Sequence, residues 1–350
     1  MRRLAPLVAL ATLAVPVPAL AAQVTATATS IQITDAGAEV NTLSVTRSGT
    51  VYTVRDTTTN PTVGAGCAAT ADPREVTCSV PGMPTISASL GGQNDSFDGH
   101  ALLNAALVLD GGVGNDTIVG TRGGGLILGS AGDDIISAPV DEVARTSLAG
   151  EIGDDTITGG GVGDTLSGGE GNDTLDGGAG NDLVIGDAGN DTITGGADSD
   201  VIDGGLGSDD LRGGSGIDST SYNGRGSGVV VIQDELANDG EPGEGDNVHA
   251  GIENIFGTNF DDRITGSALP NRLSGFAGND ELTGAGGDDV LSGNEGNDTI
   301  DGGSGDDVLD PGFGRDTVRG GGGEDAVTYA GRTDAVTVRL DGSPTSGEAD

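Results

Sequence analysis

A nine-residue period constrains this chain more than any other feature of its sequence. From Gly150 to Ser221 the chain reads GEIGDDTIT, GGGVGDTLS, GGEGNDTLD, GGAGNDLVI, GDAGNDTIT, GGADSDVID, GGLGSDDLR and GGSGIDSTS. The sixth position of every step is aspartate, and the eighth is a large aliphatic residue in all steps but the last. A short period kept in register over this length predicts a repeat architecture.

Each step predicts a turn followed by a very short strand. The Gly-Gly-x-Gly run supplies positions that tolerate positive φ, and the triplet around the aliphatic residue suits a strand with one side chain facing inward. Two steps then form one coil of 18 residues, so that residues 18 apart stack along the axis. Asp155 and Asp173 are expected on one edge of the coil, and Asp164 and Asp182 on the other.

Such stacking of aspartates requires a counter-charge. Adjacent strands lie about 4.8 Å apart, and two carboxylates at that spacing repel by roughly 0.9 kcal/mol even in bulk water. Over the whole array the repulsion reaches about 10 kcal/mol, which is comparable with the entire stability of an ordinary domain, about 5–15 kcal/mol. Carboxylates beside glycine carbonyls form a loose all-oxygen environment, which favours Ca²⁺ over the strictly octahedral Mg²⁺.

The repeats extend on both sides of the regular block. A first array opens at Gly111 and runs to 221, with Gly125 in place of one aspartate and an interruption at 138–149 that is expected to bulge as a loop. A second array covers 257–328 and has Asn271 at one sixth position. The predicted metal ligands are the remaining sixth-position aspartates: Asp116, Asp134, Asp155, Asp164, Asp173, Asp182, Asp191, Asp200, Asp209, Asp218, Asp262, Asp280, Asp289, Asp298, Asp307, Asp316 and Asp325.

The segment 222–256 separates the two arrays and breaks the period. Residues 229–232 read as a strand, and the acidic, Gly- and Pro-containing stretch 235–246 is expected to be an exposed loop. Residues 329–350 repeat the first part of this segment incompletely. The incomplete copy indicates a longer parent protein.

Residues 1–22 have the features of a cleavable secretory signal peptide. Arg2 and Arg3 precede an apolar stretch, and Ala19-Leu20-Ala21 fits the small-residue cleavage rule, so cleavage is expected near Ala21 or Ala22. A membrane anchor is the alternative, but the apolar run is short and is interrupted by prolines.

Residues 23–110 are predicted to form a small β-rich segment, because they alternate in polarity between turn residues. Leu90–Asp95 resembles a repeat turn that lacks one residue. Cys67 and Cys78 are the only cysteines, and in an exported chain two neighbouring cysteines are expected to form a disulfide. A metal-binding or catalytic thiol pair is the alternative.

Charge and aromatic content exclude several classes of function. The chain has 55 acidic and 15 basic residues and a net charge of −40, which excludes nucleic acids and anionic membranes as partners. Aromatic residues make up only 2% of the chain, so a bulky globular core is not expected. Such a composition is typical of disorder unless the repeats supply a metal-dependent core.

The step G-G-x-G-x-D-x-U-x, in which U is a large aliphatic residue, resembles the calcium-binding nonapeptide of the RTX (repeats-in-toxin, hemolysin-type) family. The resemblance implies an all-β fold: a parallel β-roll, or β-solenoid, in two arrays after the β-rich segment. It also implies that Ca²⁺ ions, on the order of ten, lie between turns and are held by the sixth-position aspartates and turn carbonyls.

The short β segment with one cysteine pair ahead of the arrays further resembles exported calcium-binding proteins of bacteria. The chain lacks the H-E-x-x-H and G-x-S-x-G motifs of RTX metalloproteases and lipases. RTX proteins that leave by type I secretion use a C-terminal signal, whereas this chain carries an N-terminal one.

The sequence therefore predicts a secreted, calcium-binding β-roll protein without catalytic activity and with a structural or interaction role outside the cell. Its expected partners are calcium and an extracellular or cell-surface molecule of unknown identity. No membrane span is expected in the mature form. The alternative is the non-catalytic, calcium-binding portion of a larger exported enzyme or adhesin.

Overall fold

A computed structural model describes residues 22–35, 40–102 and 105–329, and the regular structure in these residues is entirely β. None of them lies in a helix that is long and apolar enough to cross a bilayer. The predicted signal peptide, apart from Ala22, and the incomplete copy after Tyr329 lie outside the described residues.

The described strands fall into three groups along the chain. Those of the N-terminal segment are β1 (Gln23–Ala26), β2 (Ser30–Thr34), β3 (Thr42–Ser48), β4 (Val51–Asp56), β5 (Thr62–Val63), β6 (Cys67–Ala69), β7 (Glu75–Ser79), β8 (Thr85–Ser89) and β9 (Ser96–Asp98). Those of the first array are β10 (Leu107–Val113), β11 (Thr117–Val119), β12 (Gly125–Ala131), β13 (Ile135–Ser137), β14 (Thr146–Ile152), β15 (Thr156–Thr158), β16 (Thr165–Glu170), β17 (Thr174–Ala179), β18 (Leu183–Ala188), β19 (Thr192–Ala197), β20 (Val201–Asp203), β21 (Asp210–Ser215) and β22 (Ser219–Ser221). The rest are β23 (Val230–Ile232), β24 (Asn247–Val248), β25 (Asn254–Phe256), β26 (Arg263–Thr265), β27 (Arg272–Ser274), β28 (Glu281–Thr283), β29 (Val290–Ser292), β30 (Thr299–Ser304), β31 (Val308–Asp310), β32 (Thr317–Gly322) and β33 (Ala326–Val327).

These strands form a parallel β-solenoid with one continuous face. Sheet A has 16 strands and runs from β33 through β25, β22 and β8 to the N-terminal segment. The opposite face is divided into the 12-stranded sheet B, which ends at β24, and the five-stranded sheet C, which begins at β23. The predicted β-roll is confirmed, and sheet A joins its two arrays into one body.

The core is a narrow column of aliphatic side chains from the eighth position of each step. Leu166 pairs with Val184 in sheet A, and Leu175 pairs with Ile193 in sheet B. All four are at most 1% exposed. A strand of three residues has only one inward side chain, because alternate residues point to opposite faces, and each step therefore contributes one residue to the core.

Glycine at the fourth position of a step allows close approach of the preceding turn. Gly189 has φ +148°, and a Cβ there would lie 1.5 Å from the carbonyl oxygen of Gly171 on the preceding turn. Asp198 (φ 74°) is a fourth-position exception in the regular block. The second position also has positive φ and accepts other residues, as at Glu151 (φ 77°) and Asp187 (φ 73°). Where the fourth residue is glycine, as at Gly189, it is restricted by the neighbouring backbone as well as by φ.

The N-terminal segment merges into the solenoid. Strand β2 pairs in parallel with β8, and β3 with β9, whereas β4, β7 and β6 are added in antiparallel order. Cys67 and Cys78 face each other across β6 and β7, with their Sγ atoms 2.06 Å apart. The residues thus pair as the sequence predicted.

The turn at Leu90–Asp95 is complete, so the prediction that it lacks a residue is wrong. Gly91 (φ 97°) and Gln93 (φ 85°) occupy its second and fourth positions, and Gly92 forms a parallel bridge with Val113 on the next turn. Gln93 adopts a positive φ at a position where most other turns have glycine. Because glutamine stands at this position, the turn is difficult to recognise as a repeat from the sequence.

The interruption at 138–149 forms the predicted bulge only over 138–145; the prediction of a loop is wrong for 146–149, which belong to β14. Strands β12 and β14 remain paired, with Ile127 opposite Leu148, so this turn is longer than 18 residues. The extra residues lie between β13 and β14. Glu142 in this loop is only 5% exposed, so the loop returns a carboxyl group to the protein interior.

The segment 222–256 places two strands opposite the continuous sheet A. Strand β24 pairs back with β21 and ends sheet B, whereas β23 pairs forward with β26 and starts sheet C. The predicted strand at 229–232 is confirmed as β23.

The carboxylate of Asp239 joins these two sheet ends. It accepts hydrogen bonds from the backbone N–H of Ile232 at 2.6 Å and of Val248 at 2.8 Å. The prediction that 235–246 is an exposed loop is wrong for three of its residues: Asp239 and Asp246 are 1% and 0% exposed, and Gly240 is also buried. Asp239 satisfies backbone N–H groups at the two sheet ends, whereas Asp246 accepts the N–H of Asp209.

Candidate metal centre

The sixth-position side chains form two columns along the solenoid. The A column precedes the strands of sheet A, and the B column precedes the strands of sheets B and C. The A column contains Thr146, Asp164, Asp182, Asp200, Asp218, Glu253, Asn271, Asp289, Asp307 and Asp325. The B column contains Asp95, Asp116, Asp134, Asp155, Asp173, Asp191, Asp209 and Asp246, and after the break Asp262, Asp280, Asp298 and Asp316.

One carboxylate oxygen of each aspartate holds the preceding turn. The N–H of Asp164 donates to Oδ1 of Asp182 at 2.5 Å, and the N–H of Asp182 donates to Oδ1 of Asp200 at 2.8 Å. The same contact links Asp155 to Asp173 at 2.7 Å. The predicted stacking of residues 18 apart is confirmed.

The other carboxylate oxygen has no donor over most of both columns. Fourteen aspartates have a buried Oδ2 without a hydrogen-bond partner: Asp95, Asp116, Asp134, Asp155, Asp173, Asp182, Asp191, Asp200, Asp209, Asp218, Asp280, Asp289, Asp298 and Asp307. Each of these residues is at most 3% exposed. Buried polar atoms are almost always satisfied in native proteins, and a buried unpaired charge is costly, so this regular set of oxygens requires either protons or cations.

The missing side chain of the first-position glycine leaves room beside thirteen of these oxygens; at Asp95 the first position is Leu90. A Cβ on Gly168 would lie 2.2 Å from Oδ2 of Asp173 and 2.7 Å from the carbonyl oxygen of Gly186. A Cβ on Gly150 would be 2.0 Å from Oδ2 of Asp155. We call this space, bordered by a carboxylate oxygen and a carbonyl of the next turn, the cradle. Its oxygen-only donors are those that Ca²⁺ prefers.

The described residues 22–35, 40–102 and 105–329 contain no group of three or more His, Cys, Asp or Glu side chains arranged to hold a metal ion. The columns explain this, because each cradle is bordered by one carboxylate and by backbone carbonyls. Neighbouring carboxylates are kept apart by the backbone N–H that each accepts. A cation here would be held largely by main-chain oxygens.

Burial makes the column aspartates weak acids. It raises the pKa of Asp182 to about 7; the hydrogen bond from Asp164 opposes the shift, and the charges of Asp200 and Asp164 add to it. Burial likewise raises the pKa of Asp191 and of Asp280 to about 7. Near neutral pH these carboxyl groups therefore hold protons part of the time, and a cation in the cradle would compete with the proton.

Two predicted ligands differ from the rest because both of their oxygens have donors. Asp164 accepts the N–H of Thr146 at 2.7 Å and that of Gly160 at 2.8 Å. Asp262 accepts the N–H of Val229 at 2.8 Å and that of Thr258 at 2.6 Å. Both residues lie beside an interruption of the repeat, and the irregular segment supplies the donor to Oδ1. The donor to Oδ2 is the N–H of the second residue of the same step, Gly160 or Thr258.

The bulge also brings a second acid against Asp164. Glu142 accepts the hydroxyl of Thr146 at 2.7 Å and the N–H of Gly161 at 3.2 Å. Burial raises the pKa of Glu142 to about 8, and the contact with Asp164 contributes to the shift. Glu142 lies in an insertion without periodicity, which is why the sequence did not indicate it.

The last two predicted ligands lie in the final described turns. Asp316 accepts the N–H of Asp298 at 3.2 Å, and Asp325 accepts that of Asp307 at 3.2 Å. Both are half-buried rather than buried. They continue the columns with longer hydrogen bonds.

Sequence reasoning missed four column positions. Asp95 accepts the N–H of Asn41 at 2.6 Å and has a bare Oδ2. Glu253 accepts the N–H of Asp218 at 2.8 Å, and Asp246 accepts that of Asp209 at 3.0 Å. Thr146 adds a non-acidic member. Asn-Val after Asp246 and Asn-Ile after Glu253 match the seventh and eighth positions of a step, and this match is the sequence signal for both residues. Asp246 lies 37 residues after Asp209 and Glu253 lies 35 residues after Asp218, so neither follows the 18-residue period.

Gly125 lies between Leu107 and Thr146 in sheet A, so only its neighbour Thr146 is reached across the insertion. Asn271 occupies its predicted A-column position. Its Oδ1 accepts the N–H of Ser267 at 2.8 Å, and its Nδ2 donates to the carbonyl of Glu253 at 3.2 Å.

The fifth position forms an exposed second line of hydrogen bonds. The N–H of Asn172 donates to Oδ1 of Asp154 at 2.8 Å, and the N–H of Asn190 donates to Oδ1 of Asn172 at 3.0 Å. Here the side chain accepts from the later turn, whereas the sixth-position side chain accepts from the earlier one. Where the fifth residue has such an oxygen, consecutive turns are therefore tied in both directions; Gly163 and Pro270 occupy fifth positions without one.

Comparison with known proteins identifies the repeated unit. The family model of the RTX calcium-binding nonapeptide repeat matches more than half of the chain, at residues 110–138, 149–184, 158–193, 185–219, 249–268, 256–291, 274–309, 283–318 and 312–331. The matches leave out the bulge, most of the segment 222–256 and the turn that carries Asp95. A search of the curated proteins found no match.

Proposed function

The chain belongs to the RTX calcium-binding nonapeptide repeat family, and from that premise we propose that it is an exported, non-catalytic protein whose β-roll folds outside the cell as it binds calcium. Its role there would be structural or one of interaction. The number of ions is set by the cradles whose carboxylate oxygen lacks a donor, on the order of ten.

The bare Oδ2 atoms carry this proposal. A fold that buries fourteen carboxylate oxygens without donors is destabilised when those groups are ionised, because the charge is desolvated. A cation between carboxylate and carbonyl removes that penalty, and the unfolded chain offers no preformed cradle. Binding to the folded state alone stabilises that state, so calcium and folding would be linked.

Export is supported by features at the start of the chain. The carbonyl of Ala22 accepts the N–H of Thr62 at 2.8 Å, Ala22 is fully buried, and β1 begins at Gln23. Cleavage after Ala21 would preserve these contacts. The Cys67–Cys78 bond also fits an oxidising compartment.

The absence of catalysis is proposed from the roles that the buried aspartates and His249 already have. His249 lies between Glu235 and Asp210, with 2.5 Å from Nδ1 and Nε2 to the respective carboxylate oxygens. It thereby ties the irregular segment 222–256 to β21. The buried aspartates serve as turn connectors and cradle ligands.

The test compares the mature chain, residues 22–350, in EGTA and in millimolar calcium by far-UV circular dichroism. We expect little strand signal in EGTA and full strand signal with calcium, and magnesium at the same concentration should restore much less. A spectrum that is the same in EGTA and in calcium would overturn the proposal.

A further inference from the structure

The segment 222–256 interrupts the B column at Asp246. This residue occupies a true column position, since its Oδ1 accepts the N–H of Asp209 at 3.0 Å and Asn247 pairs with Asp210 in the strand that follows. It differs from Asp209 in its second oxygen. Oδ2 of Asp209 is buried without a donor, whereas Oδ2 of Asp246 accepts the hydroxyl of Tyr222 at 2.9 Å.

Tyr222 is buried in the protein interior. Tyr222 is 3% exposed and Asp246 0%, and the N–H of Tyr222 donates to the carbonyl of Phe256 in sheet A at 2.8 Å. The guanidinium of Arg225 lies 5.7 Å from the centre of the Tyr222 ring. The backbone of Tyr222 is thus held by sheet A and its ring lies against Arg225, while its hydroxyl donates to the carboxylate of Asp246.

The charges around this pair also have partners within the segment. Arg225 forms an ion pair with Glu244 at 3.0 Å, and their side chains are only 12% and 7% exposed. The second oxygen of Glu244 accepts the N–H of Glu241 at 2.7 Å. Arg225 thus brings positive charge to the end of the B column, where a regular turn contains none.

We propose that the Tyr222 hydroxyl occupies at Asp246 the place that the regular turns offer to a cation, so that Asp246 is a latent calcium site kept closed by a tyrosine. The segment 222–256 is then a cation-free boundary between the calcium ions of the B column before the break and those after it. This inference rests on the proposed function, because it assumes that the other cradles bind calcium.

The experiment counts bound calcium ions by equilibrium dialysis of the mature chain and its variants. Tyr222→Phe keeps the ring and removes the donor, which leaves Oδ2 of Asp246 bare like that of Asp209. We expect one additional ion per chain. The matched control is Tyr52→Phe: Tyr52 is fully buried, and its hydroxyl donates to the carbonyl of Gly82 at 3.2 Å, away from both columns. Its ion count should equal that of the wild type.

A second pair of variants tests the closed site without disturbing the tyrosine ring. Asp246→Asn keeps one oxygen that can accept the N–H of Asp209, and its amide nitrogen can donate to the hydroxyl oxygen of Tyr222. It should leave the ion count unchanged, whereas Asp191→Asn should lower it. Loss of an ion in Asp246→Asn would overturn the inference, as would an unchanged count in folded Tyr222→Phe. A wild-type chain that binds no calcium would overturn the proposed function and this inference with it.

Discussion

The backbone N–H of Asp173 donates to Oδ1 of Asp191 at 2.8 Å, and Oδ2 of the same Asp191 has no donor. One carboxylate thus has two separate tasks. Its first oxygen fixes the spacing between turns. Its second oxygen borders a cradle together with the carbonyl oxygen of Gly204, and a Cβ on Gly186 would lie 2.2 Å from that carbonyl oxygen. Replacing aspartate by asparagine keeps the oxygen that accepts the N–H and removes the negative charge, so this substitution distinguishes the two roles.

Asp191→Asn should bind at least one calcium ion fewer than the wild type while keeping its strand content at saturating calcium. The asparagine oxygen can still accept the N–H of Asp173, but the cradle loses its negative charge. Isothermal titration calorimetry measures the ion count. Asp176→Asn is the control, because Asp176 is exposed at the ninth position and accepts only the N–H of Gly178. Equal ion counts in both variants would contradict the assignment of the cradle.

Asn271→Asp should strengthen calcium binding by adding or tightening one site. The amide nitrogen of Asn271 now donates to the carbonyl of Glu253, and aspartate would place a second oxygen against that carbonyl, where a cation is needed to offset the repulsion. Isothermal titration should show one more bound ion or a higher affinity for one ion.

The control Asn279→Asp adds the same charge at an exposed fifth position and should change neither the number of ions nor their affinity. An equal gain in the control would show that added negative charge anywhere on the chain strengthens calcium binding.

Gly189→Ala should destabilise the calcium-loaded protein far more than Gly243→Ala. Both glycines have positive φ, which costs alanine about 1–2 kcal/mol. Only at Gly189 would the added Cβ meet backbone, 1.5 Å from the Gly171 oxygen, while nothing lies within 4 Å at Gly243. We expect a loss above about 3 kcal/mol at Gly189, measured by urea unfolding in saturating calcium. Equal losses would show that φ alone selects glycine.

Without calcium, the roll should be more stable in acid than at neutral pH. Burial raises the pKa of Asp155, Asp182 and Asp191 to about 7, above the ordinary value of 3.8. The folded state therefore binds more protons than the unfolded state between these values. The resulting stabilisation is complete below about pH 4 and is lost as the pH rises through about 7.

Circular dichroism in EGTA should accordingly show more strand at pH 4.5 than at pH 8, and calcium affinity should increase over the same interval as the proton is displaced. A metal-free chain that gains structure as the pH rises would contradict the raised pKa values of the buried columns.

Reduction of the Cys67–Cys78 bond should weaken the N-terminal segment without changing the number of calcium ions. The bond closes a loop with a sequence separation of 11. Breaking a disulfide that closes a loop of this length lowers the free energy of unfolding by about 3 kcal/mol. Mass spectrometry of the non-reduced protein should recover the two cysteines in one linked peptide pair. The double variant Cys67→Ser, Cys78→Ser should then unfold at a lower urea concentration with an unchanged ion count. Two freely alkylated thiols in the non-reduced protein would contradict the bond.

The sequence by itself determined the repeating unit. Position six reads Asp173, Asp182 and Asp191 at nine-residue intervals, and position eight reads Leu175, Val184 and Ile193. One inward side chain per short strand and one acid per turn follow from that period alone, because alternation in a strand and stacking between turns are local consequences of backbone geometry. The β-roll, its two columns and the choice of a hard cation were therefore predictable.

Only the tertiary structure decided what happens where the period fails. Glu142, Tyr222, Asp239 and Asp246 reach the columns or the sheet ends from irregular segments, and no spacing rule relates them to the residues they contact. Their positions depend on how far each loop travels before returning to the continuous sheet A. The structure also determined which carboxylate oxygens already accept a hydrogen bond. A donor such as the Tyr222 hydroxyl or the Thr258 N–H is identified by its distance from the oxygen, which the sequence does not give.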